Sequence, residues 1–220
     1  MDETPWRTLD YVAAVPTLLP DALLPHLAVG AHILELGCGR GAVCRFLAER
    51  GMLVTGIDVN DAAIAAARTS ASPKCEAMTF TAADILREPA VLHRQTFDGI
   101  VMIRFLTCFP YADDRRRLLI TARRALKPNG ILYVRDFLLS HGYQARYEDA
   151  VRLGMPYGNF PVFEAGGTLR FVAHHHSESE AMAILDGCEP MSFRIEESLS
   201  MNGNPCTMFE LIGCPTTLLD

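Results

Sequence analysis

The sequence predicts an α/β fold in which a single domain carries a mostly parallel β-sheet covered by helices. Two observations lead to this prediction. From residue 31 onward, short apolar runs alternate with longer amphipathic runs, which is the pattern of strands and helices that build a parallel sheet. The chain has 220 residues, of which 50% are hydrophobic. This length and composition suit one domain with a substantial core.

Composition and charge exclude several classes of protein. The net charge is −6, so the overall field repels phosphate backbones and gives no reason to expect strong nucleic-acid binding. No apolar run approaches the roughly 18 residues that a membrane helix needs, and the amino terminus is acidic where a signal peptide would be basic. Seven cysteines without a Cys-x-x-Cys pair indicate reduced thiols. We expect a soluble, cytoplasmic protein that is a monomer or a homodimer.

The middle of the chain is more basic than the rest. Residues 94–152 carry ten Arg and one Lys against six acidic residues, whereas the remaining residues are strongly acidic. A local anion site in the middle is therefore compatible with the acidic whole. The alternative is that arginines such as Arg115, Arg116 and Arg117 lie on a solvated helix face.

The first predicted strand covers residues 31–36 and ends in a glycine-rich loop at 37–41. Val43, Phe46 and Leu47 follow with the i, i+3, i+4 spacing of a helix that buries one face. This order of strand, glycine loop and helix predicts the first β/α unit of the sheet.

Two more predicted strands are each followed by a carboxylate. The second strand, 53–57, stops at Asp58, and an alanine-rich helix follows it. The third strand covers 75–81, and Asp84 comes just beyond it. Because the carboxyl ends of parallel strands meet at one edge of a sheet, both acidic side chains belong to the edge where ligands bind.

The fourth strand, 97–103, is apolar on both faces, as a central parallel strand should be. A helix is predicted from Asp113 or Asp114, and a turn over 127–130 leads into a fifth strand at 131–134. The core therefore consists of five β/α repeats.

The regular alternation ends after Phe137, where aromatic residues are scattered among Gly and Pro. We interpret this stretch as an insertion on the substrate side. A helix over 177–185 and strands at 168–173, 192–198 and 206–212 are predicted to complete the sheet. The expected organisation is an amino-terminal lid over 1–30, a cofactor-binding core over 31–137, the substrate-side insertion over 138–176, and a carboxy-terminal helix and strands over 177–220.

The strand, glycine loop and helix of residues 33–46 form a nucleotide cradle. Glycines let a ligand approach the backbone, and the amino terminus of a helix offers free N–H groups. The dinucleotide fingerprint is G-x-G-x-x-G, whereas the glycines here run G-x-G-x-G. Glu35, two residues before Gly37, would repel a pyrophosphate and would suit a ligand that carries a positive charge.

The segment E-L-G-C-G-R-G resembles the first motif of class I methyltransferases that use S-adenosylmethionine (SAM), a cofactor with an ammonium and a sulfonium group. Asp84-Ile85 and the stretches 97–101 and 126–132 resemble later motifs of that family. The resemblance implies a Rossmann-like, doubly wound sheet of seven strands with an antiparallel last strand. It also implies that Asp58 binds the ribose hydroxyls and Asp84 the adenine amino group. The residues expected to bind SAM are Glu35, Gly37, Cys38, Gly39, Gly41, Asp58, Val59, Asp84, Ile85 and Ile103.

Each of the three carboxylates taken singly could be a helix cap or a surface acid. Glu35, Asp58 and Asp84 together, at the ends of three consecutive strands, favour a cofactor site instead. Enzymes that use NAD also bind ribose through a carboxylate, so an NAD-dependent oxidoreductase is an alternative.

The second half of the chain is similar to the methyltransferase-like family that includes the tRNA cytosine-N3 methyltransferases. The similar stretches are 134–137, 158–163 and 167–171, but Pro161 stands where that family has an aromatic residue. An RNA enzyme also needs a broad basic face, whereas residues 174–220 hold eight acids against Arg194. A small-molecule acceptor is therefore predicted, and a tRNA methyltransferase acting with a partner is an alternative.

Arg104, at the end of the fourth strand, is the main candidate on the acceptor side. Its guanidinium could hold a carboxylate or phosphate of the acceptor, or it could pair with Asp136 on the adjacent strand. Trp6 could close over the cofactor and acceptor, or it could be a packed anchor of the amino terminus. The residues expected to contact the acceptor are Trp6, Tyr11, Arg104, Tyr143, Tyr147 and Arg170.

Three consecutive histidines follow a predicted strand. His174, His175 and His176 cannot all face one metal ion, because neighbouring side chains on a strand point to opposite faces. No metal site is predicted. One of them could instead line the acceptor pocket as a general base, or all could be structural. The catalytic candidates are Arg104, His174 and His175.

The predicted reaction is direct transfer of a methyl group from SAM to a nitrogen, oxygen or sulfur of a small acceptor, which leaves S-adenosylhomocysteine. No enzyme nucleophile is needed, so Cys38 is expected to be a small residue under the cofactor. A binding subunit without catalytic activity is a further alternative.

Overall fold

The computed structural model describes residues 5–9, 18–70, 75–92, 96–163, 166–200 and 202–216. They form a seven-stranded sheet and a separate two-stranded sheet. The strands are β1 (His32–Leu36), β2 (Leu53–Asp58), β3 (Met78–Ala82), β4 (Phe97–Ile103), β5 (Leu126–Phe137), β6 (Asn159–Phe163), β7 (Leu169–His174), β8 (Cys188–Leu199) and β9 (Pro205–Pro215). The α-helices are α1 (Ala42–Ala48), α2 (Asp61–Thr69), α3 (Ala112–Ala125), α4 (Gln144–Arg152) and α5 (Glu178–Ala183).

The large sheet has the strand order β3-β2-β1-β4-β5-β9-β8. Strands β1 to β5 are mutually parallel, and β9 runs antiparallel to β5. This confirms the predicted Rossmann-like, mostly parallel sheet of seven strands with an antiparallel last strand. The order reverses between β1 and β4, and in open α/β sheets the ligand crevice lies at the carboxyl ends of the strands at such a reversal.

Two apolar layers cover the large sheet. One packs α3 and α5 against the sheet and includes Ile100 and Leu132, and the other packs α1 and α2 against the opposite face and includes Ile33 and Tyr133. All four side chains are fully buried. Burial on both faces explains why the central strands read as continuous apolar runs.

Local signals account for where the helices begin. The side chain of Asn60 accepts a hydrogen bond from the Ala63 N–H and caps α2. Ser177 and Glu180 form a reciprocal capping box at the start of α5. Gly41, at φ 73°, makes the left-handed turn from the loop into α1.

Several predicted elements differ from the structure in extent or in pairing, and three of them concern the sheets. The third strand begins at Met78, because Cys75–Ala77 form a 3-10 turn. The fifth strand is longer, since pairing with β4 resumes on either side of a bulge. The predicted strand at 168–173 does not complete the large sheet. It pairs with β6 as a hairpin, because β9 already occupies the edge of β5.

No helix in the part of the chain that the structure describes has both the length and the apolar character needed to cross a bilayer.

Candidate cofactor and acceptor site

The glycine loop at 37–41 is fixed by backbone contacts at the end of β1. The N–H groups of Gly37 and Cys38 both donate to the carbonyl oxygen of Ile57, at 2.8 and 3.1 Å. A Cβ at Gly37 would lie 2.4 Å from Cδ2 of Phe105, and φ there is 74°. Gly37 is therefore required both by its left-handed backbone and by the ring packed against it.

Gly39 lies in the part of the loop that faces open space. Its φ is 50°, and a Cβ there would meet no atom within 4 Å. Its N–H donates to Asp58 Oδ2 at 2.8 Å. The loop therefore leaves room beside Gly39 for a ligand to approach the backbone.

Asp58 ties the end of β2 to this loop. Its second oxygen, Oδ1, accepts the N–H of Asn60 at 2.9 Å. Burial raises the pKa of the carboxyl, and the backbone hydrogen bonds from Asn60 and Gly39 oppose that rise. Each carboxylate oxygen can accept a further hydrogen bond, so the group can bind hydroxyls while it holds the loop.

Glu35 lies beneath the loop and is only 5% exposed. The thiol of Cys44 donates to its Oε2 at 2.8 Å. Burial raises the pKa of Glu35 to about 8, although the hydrogen bond from Cys44 lowers it. A buried carboxyl of this kind favours a positively charged neighbour, which fits the ammonium group of SAM and not a pyrophosphate.

Asp84 and Ile85 follow β3 and are both buried. Asp84 Oδ1 accepts the N–H of Leu86 at 3.1 Å, and Oδ2 lies 3.6 Å from Nε of Arg87. Val59 and Ile103 are half-buried at the ends of β2 and β4. The expected cofactor residues thus lie at the carboxyl ends of four adjacent strands.

Arg104 follows β4 in a left-handed conformation with φ 53°. Its N–H donates to the carbonyl of Arg135 at 2.8 Å, and its Nη2 donates to the carbonyl of Leu199 at 2.9 Å. The guanidinium lies 5.7 Å from the ring centroid of Phe137. A non-glycine residue in this conformation is uncommon and often marks a functional site.

Asp136, the alternative partner of Arg104, is fully buried in β5. Its oxygens accept the N–H groups of Thr107 and Phe137, at 3.1 and 2.8 Å. Burial raises its pKa to about 7, while these hydrogen bonds and the charge of Arg104 lower it. The carboxyl therefore holds the loop after β4 against β5.

His175 lies among aromatic rings just after β7. Its ring stacks on Phe137 with centroids 5.0 Å apart and meets Tyr143 and Phe160 at 5.0 and 4.8 Å. Its Nδ1 lies 2.7 Å from the hydroxyl of Tyr147. The structure therefore brings His175, Tyr143 and Tyr147 together beside the end of β5.

His174 and His176 point away from this cluster. His174 Nδ1 lies 2.7 Å from Asn159 Oδ1, and its Nε2 lies 3.3 Å from Glu180 Oε1. His176 is buried against Phe209 and the Phe137 carbonyl. Both nitrogens of His174 face protein groups, so the general-base role expected for it has no support in this geometry.

Trp6 packs against Phe171 of β7, with ring centroids 4.5 Å apart. Its carbonyl accepts a hydrogen bond from Asn60 Nδ2 at 3.3 Å, and the carbonyl of Leu9 accepts one from the same atom at 3.0 Å. The amino-terminal turn thus connects the end of β2 to the small sheet. Arg170 is half-buried beside Phe171, and Tyr11 lies outside the described residues.

Three residues of the site were not expected from the sequence. Asn60 binds the amino-terminal turn, Phe105 covers Gly37, and Asn159 binds the Pro110 carbonyl at 3.1 Å. The first two directly follow predicted site residues, Val59 and Arg104, and that adjacency was the available signal. Within the described part of the chain, no three His, Cys, Asp or Glu side chains are arranged to hold a metal ion.

Comparisons with known proteins identify relatives of this chain. A family model described as a methyltransferase domain matches residues 33–130. Ubiquinone biosynthesis O-methyltransferase from Histophilus somni is 31% identical over 104 residues, which are 46% of this chain and 42% of that protein. The chain therefore spans less than half the length of this curated relative.

Similarity to solved structures covers nearly the whole chain. A SAM-dependent methyltransferase from Methanosarcina mazei is 30% identical with a TM-score of 0.82, over 91% of this chain and 98% of that one. A SAM-dependent methyltransferase from Mesorhizobium loti, at 21% identity and a TM-score of 0.60 over 88% and 95% of the two chains, shares the fold. The protein belongs to the SAM-dependent methyltransferase family.

Proposed function

We propose that the protein transfers a methyl group from SAM to a nitrogen, oxygen or sulfur of a small-molecule acceptor. The observation that carries this proposal is the placement of Glu35, Gly39 and Asp58 around one open loop at the reversal of strand order. The buried carboxyl of Glu35 suits the ammonium group of SAM, and the Asp58 carboxylate suits its ribose hydroxyls. The open space at Gly39 lets the ligand approach the backbone.

The residues that would hold SAM follow from these positions. Glu35 would face the methionine end of SAM, Asp58 would accept hydrogen bonds from the ribose hydroxyls, and Asp84 would accept one from the adenine amino group. Ile85 and Ile103 would supply apolar walls. When bound, SAM supplies a methyl carbon that takes an electron pair from the acceptor while the carbon–sulfur pair remains on sulfur. The protein then contributes alignment and exclusion of water.

We propose further that the acceptor carries an anionic group. Arg104 supports this, because its guanidinium lies at the carboxyl end of β4, beside Phe137, where the strand order places the crevice. Trp6 supports a lid over the crevice, since the turn at 5–9 contacts both Asn60 and Phe171. A small acceptor also agrees with the O-methyltransferase name of a relative and with the net charge of −6.

Calorimetric titration with SAM and with NAD tests the proposal, using the wild type, Asp58→Ala and Asp61→Ala. Asp61 is an exposed acid at the start of α2 and serves as a matched control. We expect SAM to bind, Asp58→Ala to weaken binding about 10- to 100-fold through loss of charge-assisted hydrogen bonds, and Asp61→Ala to leave it unchanged. Preferential binding of NAD, or no binding of SAM, contradicts the proposal. Salt-dependent binding of tRNA favours the tRNA alternative.

A further inference from the structure

The hydroxyl of Tyr147 sits between two nitrogen atoms. The backbone N–H of Ser140 donates to the phenol oxygen at 3.2 Å, and His175 Nδ1 lies 2.7 Å from the same oxygen. Tyr147 is fully buried, and burial raises the pKa of its phenol. The phenol therefore keeps its proton and needs an acceptor for it.

The position of that proton determines the tautomer of His175. Nδ1 is the acceptor within reach of the Tyr147 O–H, because Ser140 supplies a donor. If Nδ1 carried the imidazole proton instead, the phenol oxygen would accept from both Nδ1 and Ser140, and the phenol proton would lose Nδ1 as its acceptor. The arrangement that satisfies all three groups is Tyr147 O–H donating to Nδ1, which leaves the imidazole proton on Nε2.

The Nε2 side of the ring remains available to a ligand. Within the described residues no protein group hydrogen-bonds to Nε2 of His175, and this atom is not fully buried. The 3% of the residue that stays exposed therefore includes Nε2. In an imidazole the two nitrogens point apart, and Nε2 therefore points away from α4, which carries Tyr147.

The groups around His175 keep it neutral. Burial lowers the pKa of its ring to about 3, and the neighbouring charges of His174 and Arg146 lower it too. Among the described residues, the titratable rings that contact it are Tyr143 and Tyr147, and Phe137 and Phe160 also pack against it. At neutral pH the ring has one N–H donor and no free basic nitrogen.

We propose that His175, held by Tyr147, donates a hydrogen bond from Nε2 to a carboxylate or carbonyl oxygen of the acceptor and does not act as a general base. This inference rests on the proposed methyl transfer and specifies how its acceptor is recognised. Both donors lie against Phe137, since the Arg104 guanidinium is 5.7 Å and the His175 ring 5.0 Å from its ring centroid. An acceptor with a carboxylate matches one cationic and one neutral donor at this place.

The tautomer is tested by long-range nitrogen–proton correlation NMR of the histidine rings in the protein without added ligand. We expect His175 of the wild type to carry its proton on Nε2 at neutral pH and to stay neutral down to about pH 5. Tyr147→Phe keeps the ring of Tyr147 and removes the hydroxyl, and it should leave His175 as a mixture of tautomers. An Nδ1–H ring in the wild type, or a ring that titrates near neutrality, overturns the proposal.

Recognition of the acceptor is tested with acetate and benzoate as probes. We expect at least one of them to shift the His175 Nε2–H signal. His175→Leu should weaken binding of that probe about tenfold, and His175→Gln, which keeps a side-chain N–H donor, should recover most of it. His26→Leu, at an exposed histidine near the amino-terminal ends of β1 and β4, should bind the probe as the wild type does. No shift with either probe, or equal loss of binding in the Gln and Leu variants, overturns the proposal.

Failure of SAM to bind would instead contradict the proposed function, because the tautomer of His175 is measured independently of SAM binding.

Discussion

The imidazole of His174 lies 2.7 Å from the side-chain oxygen of Asn159, and this contact closes a ring of polar contacts around the loop that follows β4. Asn159 binds the carbonyl of residue 110, and Arg115 binds the carbonyl of residue 109 at 2.8 Å. Glu180 completes the ring, since its Oε1 contacts both Arg115 Nη2 at 3.0 Å and His174 Nε2 at 3.3 Å. The ring connects the small sheet, α3 and α5 to one loop.

Asn159→Ala should destabilise the protein by about 2–4 kcal/mol, because it removes the partner of the half-buried Pro110 carbonyl and of the buried His174 nitrogen. Asn159 itself is 1% exposed. Chemical denaturation measures the change in the free energy of unfolding. Gln144→Ala, at an exposed position on α4, is the control and should cost under about 1 kcal/mol. A loss below 1 kcal/mol for Asn159→Ala would show that the ring does not stabilise the fold.

The large sheet could be predicted from the sequence because its signals are local. Apolar runs such as 97–103 define buried strands without any knowledge of their neighbours, and glycines at 37–41 define the loop. The small sheet could not be predicted in the same way. Its pairing of Asn159 with His174 depends on contacts between distant residues, and no period in the sequence specifies which strand is the partner.

The cofactor residues were predictable for a related reason. Carboxylates at the ends of parallel strands meet at one edge whatever the rest of the chain does. The acceptor side was less predictable, because adjacent histidines point in opposite directions. Only the structure shows that His175 faces the aromatic cluster while His174 faces Asn159 and Glu180.

Acid should destabilise the protein through its buried histidines. Burial lowers the pKa of His174, His175 and His176. A histidine in the unfolded chain has a pKa of about 6.5. Below that pH the unfolded chain binds more protons than the folded one, so the stability that each neutral ring contributes is lost as pH falls. Each ring can contribute up to about 1.4 kcal/mol per pH unit.

The test compares His176→Leu with the wild type by urea denaturation at about pH 7.5 and pH 5.5. We expect the variant to lose less stability than the wild type between these values. Glu35 and Asp136, whose pKa values burial raises, act in the opposite direction in both proteins, since their contribution is lost as pH rises. The comparison between variant and wild type therefore isolates the histidine. Equal losses of unfolding free energy in His176→Leu and the wild type would contradict the expectation. His141→Leu, at an exposed histidine, is the control and should lose as much as the wild type.

Binding of SAM should release a proton from Glu35. Burial holds the pKa of this carboxyl at about 8 in the absence of a cation, and an ammonium group nearby favours its ionised form. The affinity for SAM should therefore rise with pH, by up to about tenfold per unit between about pH 6 and pH 7.5. Calorimetry in buffers of different ionisation enthalpy counts the protons released. Glu35→Gln should bind SAM more weakly and with less dependence on pH, and a wild-type affinity independent of pH would contradict the role of Glu35.

The amino-terminal turn carries the protein's single tryptophan, so its fluorescence reports on the contact of Trp6 with Phe171. If the turn closes over the cofactor, SAM should change both the emission intensity of Trp6 and its quenching by acrylamide, because the ring becomes less accessible to water. Asn60→Ala removes the side chain that binds the carbonyls of residues 6 and 9, and it should reduce the fluorescence change while circular dichroism shows the fold intact. Met191→Ala, at an exposed position on the distant edge strand β8, should respond to SAM as the wild type does. An emission spectrum that SAM leaves unchanged, under conditions where calorimetry shows binding, would make Trp6 an anchor of the amino terminus and not part of a lid.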